Sequence, residues 1–120
     1  MTRRRILVAF MVLFAVAAAA ADFGPTHVYF ATGTASGTQT DITWGTTAEG
    51  YSRGVCIKND SSSVSLWFYA GTGGTVNTTT GAGGGEIKPG ETFNSDNLSV
   101  QGVSVATAAS TAAYRVWAQY

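Results

Sequence analysis

From residue 28 onward, short β-branched or aromatic runs are separated by clusters of Gly, Asn, Asp, Ser and Pro, and no segment keeps an apolar period of 3.6. The runs predict strands at Val28–Thr32, Thr38–Trp44, Gly54–Asn59, Val64–Tyr69, a pair near Glu86–Ile87 and Glu91–Asn94, Ser99–Ala106 and Ala113–Tyr120. A set of about seven short strands with recurring turns predicts an all-β fold, an antiparallel β-sandwich or small barrel. Period-two alternation puts Val28 with Phe30, Ile42 with Trp44, and Val103 with Val105 on shared faces, and these six residues are the expected core. Asn59-Asp60-Ser61-Ser62-Ser63 reads as a hairpin loop, and Lys88-Pro89-Gly90 as a sharp turn between neighbouring strands. Gly71–Gly85 is almost entirely Gly, Thr, Ala and Asn. It is expected to be a long mobile loop unless a partner holds it, and so a contact candidate.

The N-terminus follows a different pattern. Arg3-Arg4-Arg5 precedes an unbroken apolar run from Ile6 to Ala21, which ends in small residues before Asp22. A basic region, an apolar stretch and a small-residue junction are the layout of a secretory signal peptide. The run is short for a membrane span and closes on weakly hydrophobic alanines, and no cysteine follows it to carry a lipid. The alternative is a retained apolar helix packed against copies of itself or a neighbouring subunit. The expected division is therefore a hydrophobic leader over residues 1–21, signal peptide or packing helix, and a β-sandwich domain over 22–120. The membrane enters only through the leader, if it is retained.

Composition sharpens this picture by exclusion. The formal net charge is zero, but three of the seven basic residues sit in the leader. The remaining four, Arg53, Lys58, Lys88 and Arg115, are scattered among acids, so no basic stripe exists for nucleic acid. Only 12% of residues are charged, against about 25–35% on a typical designed soluble surface, which points to subunit contacts covering part of the domain. Cys56 is the single cysteine, lies in the apolar Val55-Cys56-Ile57 run, and reads as a small buried hydrophobe. It allows neither an internal disulfide nor a thiolate metal cluster.

Catalytic chemistry is sparse. The single histidine, His27, has no acid or nucleophile beside it in sequence, and the carboxylates sit in turn-forming contexts such as Asn59-Asp60 and Ser95-Asp96-Asn97. The glycine-rich stretch lacks the Gly-Lys-Ser/Thr ending of a phosphate loop. The chain is expected to be a non-enzyme without cofactors or metals. The aromatics carry more information. Both faces of the 64–69 strand bear large apolar groups, and in the 114–120 strand Arg115 and Trp117 stand opposite Val116 and Ala118. One face of each strand must point away from the core. Trp67, Tyr69, Arg115, Trp117 and Tyr120 are therefore the candidate contact residues, suited to a protein partner or to stacking on a sugar.

Residues 53–120 also carry a recognisable order: Gly54-Val55-Cys56-Ile57-Lys58-Asn59, a Ser-rich turn, Val64-Ser65-Leu66-Trp67-Phe68, then Gly85-Glu86-Ile87-Lys88-Pro89-Gly90-Glu91, and Ser104–Ser110 leading to Tyr114-Arg115-Val116-Trp117. This order resembles small β-sandwich structural proteins of tailed bacteriophage virions, the capsid-decoration and head–tail accessory type. The resemblance implies an oligomeric virion subunit, with itself and other virion structural proteins as partners. The leader departs from that pattern, because tailed phages build their particles in the cytoplasm. The alternative expectation is a secreted or periplasmic carbohydrate-binding or adhesin module that uses the same aromatics on a glycan.

Overall fold

A computed structural model of the chain describes residues 27–44 and 51–120; the leader, with the helix expected there, lies outside them. The described residues form eight strands and no helix. The strands are β1 (Val28–Ala35), β2 (Thr40–Thr43), β3 (Gly54–Asn59), β4 (Leu66–Tyr69), β5 (Gly84–Ile87), β6 (Thr92–Ser95), β7 (Gly102–Ala106) and β8 (Ala112–Gln119). They make two four-stranded sheets, ordered β1-β8-β3-β6 and β2-β7-β4-β5, in which every pairing is antiparallel.

The pairings are nested. β4 pairs with β5, β3 with β6, β2 with β7 and β1 with β8, so the chain is one long hairpin folded over so that successive pairs fall in alternate sheets. That winding is a jelly roll. Its core lies between the sheets. Val55, Ile57, Tyr114, Val116 and Ala118 meet Ile42, Leu66, Phe68, Ile87, Val103 and Val105 across the gap. The rings of Phe68 and Phe93, one from each sheet, pack at 4.6 Å.

Four of the six expected core residues, Ile42, Trp44, Val103 and Val105, are buried. Val28 and Phe30 are not: they stand 67% and 59% exposed. The inward row of β1 is Tyr29, Ala31, Gly33 and Ala35, because the Tyr114 ring lies so close to Gly33 that a side chain there would strike it. Past Tyr29, which packs on Trp44, the inward row of this edge strand is small, and Val28 and Phe30 face out.

Two turn expectations also need correcting. Asn59–Ser63 is not a hairpin loop, and Lys88–Glu91 does not join hydrogen-bonded neighbours: each carries the chain from one sheet to the other. The second is a tight turn with Glu91 N donating to Lys88 O at 3.0 Å and Gly90 at φ 77°, a backbone setting that favours glycine. Asn59 locks the two crossovers together. Its fully buried side chain donates from Nδ2 to Val64 O (2.8 Å) and Ile87 O (2.9 Å), while Oδ1 accepts from Ser61 N (2.9 Å). Its backbone donates to Glu91 O and accepts from Gly90 N.

Truncating Asn59 to Ala strands the buried Ile87 carbonyl and the part-buried Val64 carbonyl and Ser61 amide. It is expected to cost about 2–4 kcal/mol, or roughly 10–25 °C of melting temperature for a domain of this size. Thermal denaturation of Asn59→Ala followed by circular dichroism checks this; a melt within about 4 °C of wild type would mean that the amide is dispensable.

Candidate functional site

The outer faces of the two sheets differ sharply. Over the β2-β7-β4-β5 sheet lies the glycine-rich connection between β4 and β5, residues 70–83. Where the sequence leads to the expectation of a loop that is mobile unless held, the structure shows it held by defined contacts within the chain itself. Gln39 clasps it with both ends of one amide, Nε2 donating to Gly74 O and Oε1 accepting from Val76 N, each at 2.8 Å. Asn77 Oδ1 accepts from Thr79 N and Thr80 N, and Val76 is buried. The connection closes down on Tyr69, whose ring leaves no room for a side chain at Gly74 or Gly83. Beneath it, Ser104 is fully buried and donates to Asp41 Oδ1 at 2.6 Å. That bond, with a second from Gln39, holds the Asp41 carboxyl below its usual range.

The outer face of the β1-β8-β3-β6 sheet has no such cover among the described residues. Strand register lays out three cross-strand rows on it: Thr32–Arg115–Lys58–Thr92, then Phe30–Trp117–Cys56–Asn94, then Val28–Gln119–Gly54. Phe30 and Trp117 meet edge to face at 5.9 Å and 72°. Trp117 is 36% exposed, and with Val28 and Phe30 it forms an apolar patch reaching the β1 edge. At one end of the face Arg115 grips Asp60 with two bonds, Nε to Oδ2 at 2.8 Å and Nη2 to Oδ1 at 2.9 Å, with Lys58 close by at 4.0 Å. The Arg115 bonds hold the Asp60 carboxyl below its usual range. In the middle row Cys56 is half-buried, and burial pushes its thiol up and away from the reactive thiolate.

The five contact residues expected from the sequence are thus divided between two surfaces. Arg115 and Trp117 stand on the bare face. Trp67 and Tyr69 point outward from the opposite sheet, with Tyr69 half-buried under the covering connection. Tyr120 follows β8, packs against the core and stacks on His27 at 5.2 Å. Sequence reasoning missed Val28 and Phe30 as surface residues, and it missed Gly54, Asn94, Asp96 and Gln119 altogether. A signal existed in the small outward residues of Gly54-x-Cys56, which leave a trough in the face. No cluster of His, Cys, Asp and Glu among the described residues is arranged to hold a metal ion.

No protein-family model matches this chain, and no curated protein does. Among solved structures, it is similar to an HTH_3 family transcriptional regulator from Vibrio cholerae (15% identity, TM-score 0.46), over 83% of this chain and 45% of that one. It spans less than half the length of that regulator. It is also similar to a de novo designed double-stranded β-helix (18% identity, TM-score 0.42, 78% of this chain and all of that one). A third likeness is to PirA (15%, TM-score 0.43, 77% of this chain and 94% of that one). At these scores the likenesses carry no argument about function; the jelly roll stands on the strand pairings themselves.

Two outcomes are expected. Gln39→Ala removes both bonds to the glycine-rich connection, and amide exchange at Val76, Gly81 and Gly84 should quicken roughly ten- to thirtyfold, the worth of two hydrogen bonds of about 1 kcal/mol each. Unchanged exchange would mean that the connection holds itself. Asp60 and Asp41 have depressed folded-state values, so the stability they contribute is present above the unfolded carboxylate value of about 4 and is lost as pH falls through the folded values. Melting temperatures measured from neutral pH into acid should therefore fall less steeply for Asp60→Asn than for wild type.

Proposed function

We propose that this chain is a non-catalytic structural subunit, of a tailed-bacteriophage particle by the resemblance of residues 53–120, that assembles through the β1 side of its bare sheet face. The observation that carries the contact half of this reading is the asymmetry of the sandwich. One outer face is roofed by the chain's own loop, while the other leaves Val28, Phe30 and Trp117 in water. A contiguous exposed apolar patch of this kind marks a contact surface.

The β1 edge supports the same reading. Among the described residues β1 pairs only with β8, and its sequence VYFATGTA contains no charge and no proline across eight residues. The other three edge strands, β2, β5 and β6, have four residues each, and β2 and β5 carry a carboxylate. Long uncharged edges invite a further strand, and proteins that stay monomeric blunt them. A second copy adding its own strand here, with Val28 and Phe30 packed beneath, uses both features at once. Jelly rolls serve capsid and lectin domains alike, so it is the face and not the fold that supports the assignment.

Sedimentation velocity on the chain should show a concentration-dependent multimer. Phe30→Ser and Trp117→Ala should each weaken it by about 2 kcal/mol, roughly thirtyfold, with melting temperatures near wild type. A wild-type chain that stays monomeric at high concentration would overturn the assembly reading.

A further inference from the structure

Beyond the apolar patch, on the β6 side of Trp117, the same face holds a different feature. Gly54 and Cys56 give β3 almost no outward bulk, while its neighbours stand tall: Trp117 and Gln119 on β8, Asn94 on β6 and Asp96 just past it. The result is an open hollow of about 280 Å³, floored by β3 and walled by those four side chains.

We propose that this hollow binds one neutral pyranose ring of a glycan. The volume lies just under the lower end of the range for drug-sized ligands, about 300 Å³, and so suits a single ring. A sugar ring has an apolar C–H face and a rim of hydroxyls. Here one wall is an indole able to lie against that face, and the rest of the rim is two amides and a carboxylate. Asn94 and Gln119 each offer both donors and an acceptor, and Asp96 offers acceptors, the complement of neighbouring hydroxyl groups. Phe30 braces Trp117 from the far side, so less side-chain freedom is lost when a ring docks.

The lining also argues against other ligands. It holds no Lys or Arg, and Asp96 repels anions, which disfavours phosphate esters and acidic sugars. It holds one carboxylate and not the pair that glycoside cleavage needs, so the hollow is a binding site and not a hydrolytic one. This inference goes beyond the assembly reading and does not depend on it, because the hollow and the Val28–Phe30 patch lie on opposite sides of Trp117.

The test is a titration of the full chain with the methyl glycosides of glucose, galactose, mannose and N-acetylglucosamine, read by NMR at the Asn94 and Gln119 amides and the Trp117 indole. Saturable shifts are expected at these three groups for at least one glycoside, with a Kd in the millimolar range. Gly54→Val fills the hollow from its floor. The added Cβ meets Ser95 O at 3.6 Å and Gln119 Oε1 at 3.7 Å, ordinary contacts, so the backbone has room for a β-carbon at this position. It should weaken binding at least about tenfold with the melting temperature unchanged. Val28→Ser, which cuts the assembly patch without changing the hollow's lining or the brace behind Trp117, should leave the shifts at Asn94 and Gln119 in place. No saturable shift with any of the four sugars, or binding that survives Gly54→Val, overturns the proposal. A monomer that still binds sugar removes the assembly reading alone, and a multimer blind to all four removes the hollow alone.

Discussion

One buried amide, the side chain of Asn59, holds the corner on which the jelly roll turns. Of the seven connections between strands, only that between β4 and β5 stays within a sheet, so ladder hydrogen bonds cannot secure the other six corners. At the end of β3 the chain leaves one sheet for the other, and at the end of β5 it comes back. Asn59 sits where these crossings meet and bonds to both. Its two donors and one acceptor are all used, which is why the residue is an amide: an aspartate there would bring a charge without donors into a site with no exposure. Ser52 plays a similar part at the opposite end of the sandwich. Its hydroxyl donates to Leu98 O and accepts from Val100 N, and Trp44 Nε1 donates to Val100 O. With both ends pinned, the register of β3 against β8 and β6 is set. That register places Gly54 and Cys56 between Trp117 and Asn94.

The same winding explains why the two outer faces differ. The β4–β5 connection is the closed end of the long nested hairpin, and its length lets it fold back over the sheet that contains both strands. Its glycines permit the close approach: Gly83, at φ 80°, and Gly74 both lie against the Tyr69 ring where no larger residue fits. The open end of the hairpin, β1 with β8, belongs to the other sheet. The described residues offer no comparable roof there, and the outward Val28, Phe30 and Trp117 remain exposed.

Strand existence was legible in the sequence, since β3 matches its expected span residue for residue and the other seven differ only in extent. What period-two alternation cannot state is which of two faces is the inner one. On β8 the choice was readable, because Val116 and Ala118 alternate with Arg115 and Gln119. On β1 it was not. The inner row gives way to Gly33 there because Tyr114 fills the space from the neighbouring strand, a fact about a residue near the far end of the chain. Turn chemistry failed in a related manner: Asn, Ser, Pro and Gly announce a reversal but not whether the next strand joins the same sheet. The hollow was illegible for the same reason, since Gly54, Asn94 and Gln119 come together only through register.

Trp117 stands at the boundary between the apolar patch and the hollow, and the two gain from one another. A shallow hollow closed on one wall by a single indole holds a sugar weakly, and millimolar affinity is too low to retain a particle or a cell surface. Two copies joined along their β1 edges would extend the sheet, set two hollows on one continuous face and leave each open on its β6 side. Once one hollow is occupied, the other would bind from an effective concentration fixed by the spacing of the copies, and avidity would rise by about 10²–10⁴ without any new contact. The geometry that makes a single site weak, an open trough over Gly54 and Cys56, is then no obstacle. It would allow rapid exchange at each site while the paired copies stay attached. Weak sites paired on a rigid sheet would therefore be a consistent use of a domain whose described residues leave one face bare and one long edge uncharged, with a single carboxylate in the hollow.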